Sequence, residues 1–199
     1  VAAFTCSDLP EEPEPGCNHE RRAIRTGWPP DRGTEPMLRA INSRLPEDVL
    51  IVAASEAAAD FDPIGDAVTK RYSYTFHVSK HRPLWDRNLV HHLWAPHDVR
   101  LMEIAAHHFV GEHDFAGFAA AGHGRLTTVR TVHACRVMRL DAGDDADPDA
   151  YRIRMEIEGS GFLYNMVRII AGTLADVGRG RIEAAQVPWS IKSLDRRRA

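Results

Sequence analysis

The chain has 199 residues, 44% of them hydrophobic, which is enough for one packed domain or two small ones. Lys and Arg number 25 against 28 Asp and Glu, a net charge of −3, so the chain is unlike binders whose whole surface is basic, although a local basic face fits a near-neutral whole. No apolar run reaches the length of a membrane span, no secretory leader is visible, and Cys6, Cys17 and Cys135 are too few and too scattered for a zinc or disulfide framework, which points to a reducing cytoplasm.

In chain order, residues 1–5 form an apolar strand candidate already in progress, and the first residue is Val1 rather than Met, so a segment upstream is expected. Residues 8–33 are rich in Pro, Glu and Arg and read as an irregular insertion. Residues 35–44 form a short helix with Met37, Leu38, Ile41 and Leu45 on one face, Thr34 as N-cap and Pro46 as stop. A buried strand is expected at 49–54. In 71–78, Tyr72, Tyr74, Phe76 and Val78 alternate with Arg71, Ser73, Thr75 and His77, the period of a half-buried strand. Residues 98–110 are helical. Residues 128–140 and 151–158 form an antiparallel pair joined by an acidic loop. Phe162, Met166, Ile169, Ile170, Thr173 and Val177 predict a helix over 162–177, and a weaker helix runs from 187 to the end. The expected fold is α+β, an antiparallel sheet with helices packed on one face.

The segment Gly161-Phe162-Leu163-Tyr164-Asn165-Met166-Val167-Arg168 carries the most chemistry. A strand ends, the chain turns at glycine, and a guanidinium is expected in the second turn of the helix that follows. A charge held there has a carboxylate or a phosphate to meet.

Five motifs in order give the chain a family resemblance. They are 38–49, Lys70-Arg71-Tyr72-Ser73-Tyr74, Val110-Gly111-Glu112-His113-Asp114-Phe115 with Phe118, Thr128-Val129-Arg130-Thr131-Val132, and 161–168 with Gly172-Thr173-Leu174 and Val177-Gly178. Together they resemble the TruA family of tRNA pseudouridine synthases over roughly residues 34–182. The resemblance implies a sheet built from two related α/β halves. Residues 1–60 would be the incomplete N-terminal half, and 61–199 the C-terminal half without its last strand. It implies a homodimer that binds tRNA and isomerises uridine to pseudouridine in the anticodon stem-loop, with no metal or organic cofactor. The reacting base must be extruded, because stacking hides its reactive atoms.

The family's nucleophilic Asp lies in an Arg-Thr-Asp-x-Gly-Val-His segment that this sequence lacks; Arg25-Thr26-Gly27 shares two letters and no Asp. The Asp is expected upstream of Val1, and the chain as given is expected to be inactive. Arg168 matches the Arg that pairs with that Asp. Tyr72 matches the Tyr that stacks on the uracil, although its alternation alone also fits a core residue beside Tyr74 and Phe76. Phe162 and Leu163 are candidates to line the uracil pocket, and equally fit as core. Lys70, Arg125 and Arg130 are candidate phosphate contacts.

Two other readings compete. A non-catalytic RNA-binding module of the same fold would explain the missing Asp. A metal hydrolase is suggested by His91, His92, His97, His107, His108 and His113, but their spacing matches no zinc motif, and neighbouring His107 and His108 would point about 100° apart on a helix. Asp145, Asp147, Asp149 and Glu156 echo a calcium loop, without its glycine or flanking helices; a solvated acidic turn explains them better.

Overall fold

The computed structural model describes residues 28, 32–120, 126–143 and 147–195. The strand expected at 1–5, nearly all of the insertion, Cys6, Cys17, Arg125, Asp145 and the final 196–199 lie outside them. The chain divides into two units, Val1–Ala67 and Val68–Ala199.

In the first unit, helix α1 spans Thr34–Asn42. Its N-cap is Gly33, so Thr34 is the first helical residue rather than the cap. Met37, Leu38 and Ile41 are half-buried on one face, as the periodicity predicts. The strand expected at 49–54 does not form. Val49, Leu50 and Val52 are 48%, 72% and 83% exposed, and among the described residues no strand lies beside them. An apolar run makes a strand only where a neighbour takes its N–H and C=O groups. Here the backbone of Ile51 is held by the Asn42 carboxamide instead, which accepts from its N–H at 2.9 Å and donates to its carbonyl at 2.8 Å.

The second unit holds a five-stranded sheet. Strands β1 (Lys70–Val78), β2 (His91–Leu93), β3 (Gly111–Asp114), β4 (Val129–Asp141) and β5 (Tyr151–Gly159) lie in the order β2-β1-β5-β4-β3. β5 pairs antiparallel with both β1 and β4, and β3 pairs antiparallel with β4. The sheet is nevertheless mixed, because β2 runs parallel to β1 over Phe76–Val78. The connection 79–90 is long enough to carry the chain back and start the edge strand in the same direction. It is anchored by an ion pair of Asp86 with Arg152 at 2.6 Å. Among the described residues, 70–75 of β1 pair only with β5, since β2 covers no more than the last three residues of the strand.

Burial follows the alternation. In β5, Tyr151, Ile153, Met155, Ile157 and Gly159 are buried, while Arg152, Arg154, Glu156 and Glu158 are half-exposed on the other face. Each large apolar side chain so buried contributes about 1.5–3 kcal/mol. Helices α2 (Val99–His107) and α3 (Met166–Gly178) cover the apolar face, with Met102, Ala105, Met166, Ile170, Leu174 and Val177 in one cluster with the strand residues. The Asp98 carboxylate caps α2 by accepting from Leu101 N–H at 3.0 Å. A 3₁₀ turn at Ala184–Gln186 leads into α4 (Val187–Ser193). Cys135 is buried in β4, and burial pushes its thiol up to about 12.

Gly178 sits where α3 crosses α2. A Cβ there would come within 2.7 Å of Met102 Cγ and Sδ and 3.2 Å of His97 Cβ. Met102 is fully buried and has no room to withdraw. Gly178→Ala should therefore cost about 1–3 kcal/mol, read as a lowered urea midpoint.

His97 is 8% exposed, and its ring Nδ1–H donates to the Ala95 carbonyl at 2.7 Å. Burial holds its imidazole below the ordinary 6.5, outweighing the opposite pull of the Ala95 bond. The unfolded chain takes up a proton near that value and the folded chain resists it, so acid favours unfolding. The melting temperature should fall between about pH 7.5 and about pH 5.5, and His97→Gln should reduce that fall.

Candidate functional site

The site begins at a bulge. The register of β4 against β5 shifts between Val132 and Ala134, opposite Gly159. There the two chains approach so closely that a Cβ on Gly159 would lie 2.6 Å from the Thr131 carbonyl oxygen and 3.3 Å from Phe162 Cζ. Ser160 N–H donates to the same Thr131 oxygen at 3.0 Å. β5 is thereby tied down at its last residue, and the chain leaves the sheet at a set angle.

The next four residues form a pinned turn rather than the first helical turn that the 162–177 periodicity predicts. Asn165 adopts the left-handed conformation, with φ 60 and ψ 5. This breaks the helix that the spacing of Phe162 and Met166 imitates. The Tyr164 carbonyl accepts from Ala120 N–H at 3.0 Å, and the Leu163 carbonyl accepts from Met166 N–H at 3.0 Å. Leu163 is driven into the core at 4% exposure. Phe162 stays half-buried and meets the Tyr72 ring edge-on, with centroids 5.2 Å apart and planes at 87°.

Around this turn lies a cavity of about 760 Å³. Tyr72, Ser73 and Tyr74 of β1 form one wall, the turn from Phe162 to Asn165 another, and the first turn of α3 with Arg168 closes it. Tyr72, Phe162, Leu163 and Arg168 thus share one hollow, though they come from elements far apart in sequence. Arg168 is the third residue of α3, so it stands in the first helical turn and not the second. Its side chain is exposed, and among the described residues no carboxylate pairs with it. A guanidinium facing a cavity in this way can receive a carboxylate or phosphate from outside.

The other candidates lie off the cavity. Lys70 opens β1 opposite Gly159. The Arg130 guanidinium donates to the Thr127 carbonyl at 3.0 Å and the Val129 carbonyl at 2.5 Å. Arg125 is outside the described residues. Sequence reasoning did not single out Ser73, Tyr74 or Asn165 as walls, although Tyr74 shares the face of Tyr72 two residues on.

Three of the six candidate histidines, His92, His97 and His113, bond nearby backbone carbonyls. His92 Nε2 bonds the Ser79 carbonyl at 2.9 Å, and His113 Nε2 bonds the Val110 carbonyl at 3.1 Å. Among the described residues no three His, Cys, Asp or Glu side chains converge as metal ligands. The Asp147 carboxylate accepts from Lys80 N–H at 2.8 Å and from Asp149 N–H at 3.1 Å, and these bonds, that of Lys80 foremost, hold it below the usual carboxylate range. The acidic turn is therefore a clasp onto the end of β1, and Glu156 belongs to β5.

Gly159→Ala should displace the Thr131 carbonyl or the Phe162 ring. A stability loss of about 1–3 kcal/mol is expected in urea unfolding, with a change in the tyrosine near-ultraviolet signal as the Tyr72–Phe162 contact opens.

Comparison with known proteins bears on the family of the chain. A family model described as tRNA pseudouridine synthase matches residues 105–199. The tRNA pseudouridine synthase A of Pelobacter propionicus is 40% identical over 158 residues, covering 79% of this chain and 61% of that protein. That of Geotalea uraniireducens is 42% identical over 156 residues, covering 78% and 60%. That of Acetivibrio thermocellus is 38% identical over 160 residues, covering 80% and 62%. The chain spans about three-fifths of the length of these relatives. With its α+β fold, its ordered motifs and these relatives, the chain is similar to tRNA pseudouridine synthases of the TruA type over the part of their length that it spans.

Proposed function

We propose that this chain supplies the base-receiving part of an enzyme that isomerises uridine to pseudouridine in the anticodon stem-loop of tRNA. The observation that carries the reading is the shared cavity of Tyr72 and Arg168. An extruded uracil lies against the Tyr72 ring, over the apolar floor of Phe162 and Leu163. Arg168 pairs with the carboxylate of the family's nucleophilic Asp, keeping it ionised and aimed. The Asp attacks the flipped nucleotide and the N1–C1′ bond breaks. The base turns, C5 bonds to C1′ as the Asp carboxylate leaves that carbon, the C5 proton goes to solvent and N1 takes up a proton. The Tyr72 phenol is placed to move one of these protons. Lys70, Arg125 and Arg130 meet phosphates, the enzyme acts as a cytoplasmic homodimer, and no metal or organic cofactor takes part.

The test joins this chain to the family's Asp-bearing segment and measures tritium release from tRNA labelled at uridine C5. The joined protein should release tritium, while the chain alone should bind the stem-loop and release none. Arg168→Lys should lower kcat by about 10²-fold, since an ammonium cannot hold the carboxylate in two places. Tyr72→Phe should spare KM and lower kcat, whereas Tyr72→Ala should weaken binding roughly 5- to 100-fold. Binding by the joined protein without release would favour the non-catalytic RNA-binding reading. Variants at 72 and 168 that behave as wild type would remove the site.

A further inference from the structure

Tyr164 stands on the wall of the same cavity, yet the proposed reaction gives it nothing to do. Its side chain is 64% exposed, while its neighbours Leu163 and Met166 are 4% and 0% exposed. Its backbone is held by the bond from Ala120 N–H to its carbonyl and by the left-handed Asn165 that follows. Among the described residues no ring stacks on it and no polar group bonds its hydroxyl. A lone exposed aromatic is ordinary on a surface. One set on a pinned turn at the rim of a cavity is presented at little cost in conformational entropy. The hollow has a second exposed ring of this kind, Tyr72 at 47%, and buried Leu163 belongs to its lining.

We propose that Tyr164 is a stacking platform for the nucleotide adjacent to the extruded uridine, so that the cavity receives two consecutive bases. The inference rests on the reading of the cavity as an RNA site. Every base has a π-face, so Tyr164 takes any neighbour, and the larger face of a purine stacks best. The Asn165 carboxamide, which also lines the cavity, offers a donor and an acceptor to that neighbour's edge.

The experiment uses this chain and an anticodon stem-loop RNA carrying 2-aminopurine at the position before or after the target uridine. Stacking on an aromatic ring quenches that fluorophore. Wild type should quench one of the two probes. Tyr164→Leu, which keeps the apolar bulk, should abolish the quenching and weaken binding roughly 5- to 100-fold, while Tyr164→Phe should keep both. Tyr72→Ala serves as the control for the site. If wild type binds the stem-loop no better than an unstructured RNA of equal length, or if Tyr72→Ala binds as wild type does, the RNA reading of the cavity fails and this inference falls with it. If Tyr72→Ala weakens binding but neither probe is quenched, or Tyr164→Leu leaves quenching and affinity intact, the inference alone is overturned.

Discussion

The contact between Gly159 and the Thr131 carbonyl sets the geometry of everything near the cavity. Two strands normally run side by side at a fixed spacing. Here one extra residue in β4 lets the end of β5 press onto its partner's backbone, and Ser160 N–H locks the crossing. The chain can then leave the sheet in only one direction. Phe162 falls against Tyr72, Leu163 drops into the core, and α3 begins where its first turn faces β1. A side chain at 159 would undo these placements together, because they share a single cause.

Charge is distributed with similar economy. One face of β5 is apolar and covered by helices, while the other carries two Arg and then two Glu at half-exposure. Arg71 pairs with Glu158 across the strands at 2.5 Å, and that bond raises its already high affinity for a proton. Exposed pairs of this kind add little stability. Their effect is on recognition: a cation already matched by a carboxylate attracts RNA weakly. Arg168 faces the cavity without such a match among the described residues, so its charge is left to attract an anion there although the chain as a whole is slightly acidic.

Much of the fold could be read from residues because burial is one-sided. The alternation in β1 and β5 and the apolar stripe of α3 follow from a single covered face, and a period of two or 3.6 records it. Elements defined by partners instead of faces left no such trace. β2 is three residues long and exists because β1 offers it an edge, and nothing in His91-His92-Leu93 announces that. The run at 49–54 shows the converse, having strand composition and no partner among the described residues. At the site, Tyr72 looks ordinary in isolation and stands out only through the family motifs, whereas Arg168 also stands out through the glycine turn that leads into its helix. The start of α3 was misplaced because the Phe162–Met166 spacing is helical while the left-handed Asn165 between them is not visible in any periodicity.

The incomplete flanking of β1 couples two problems that proteins usually keep separate. Among the described residues the strand has a neighbour on one side only along 70–75, and that stretch includes the three residues that wall the cavity. Any extended peptide that zipped onto this margin, from a misfolded copy or elsewhere, would lay its own side chains beside Tyr72. Protection against runaway association and entry of the ligand are thus decided over the same short length of backbone, with Lys70 and Arg71 as charged sentries at its head.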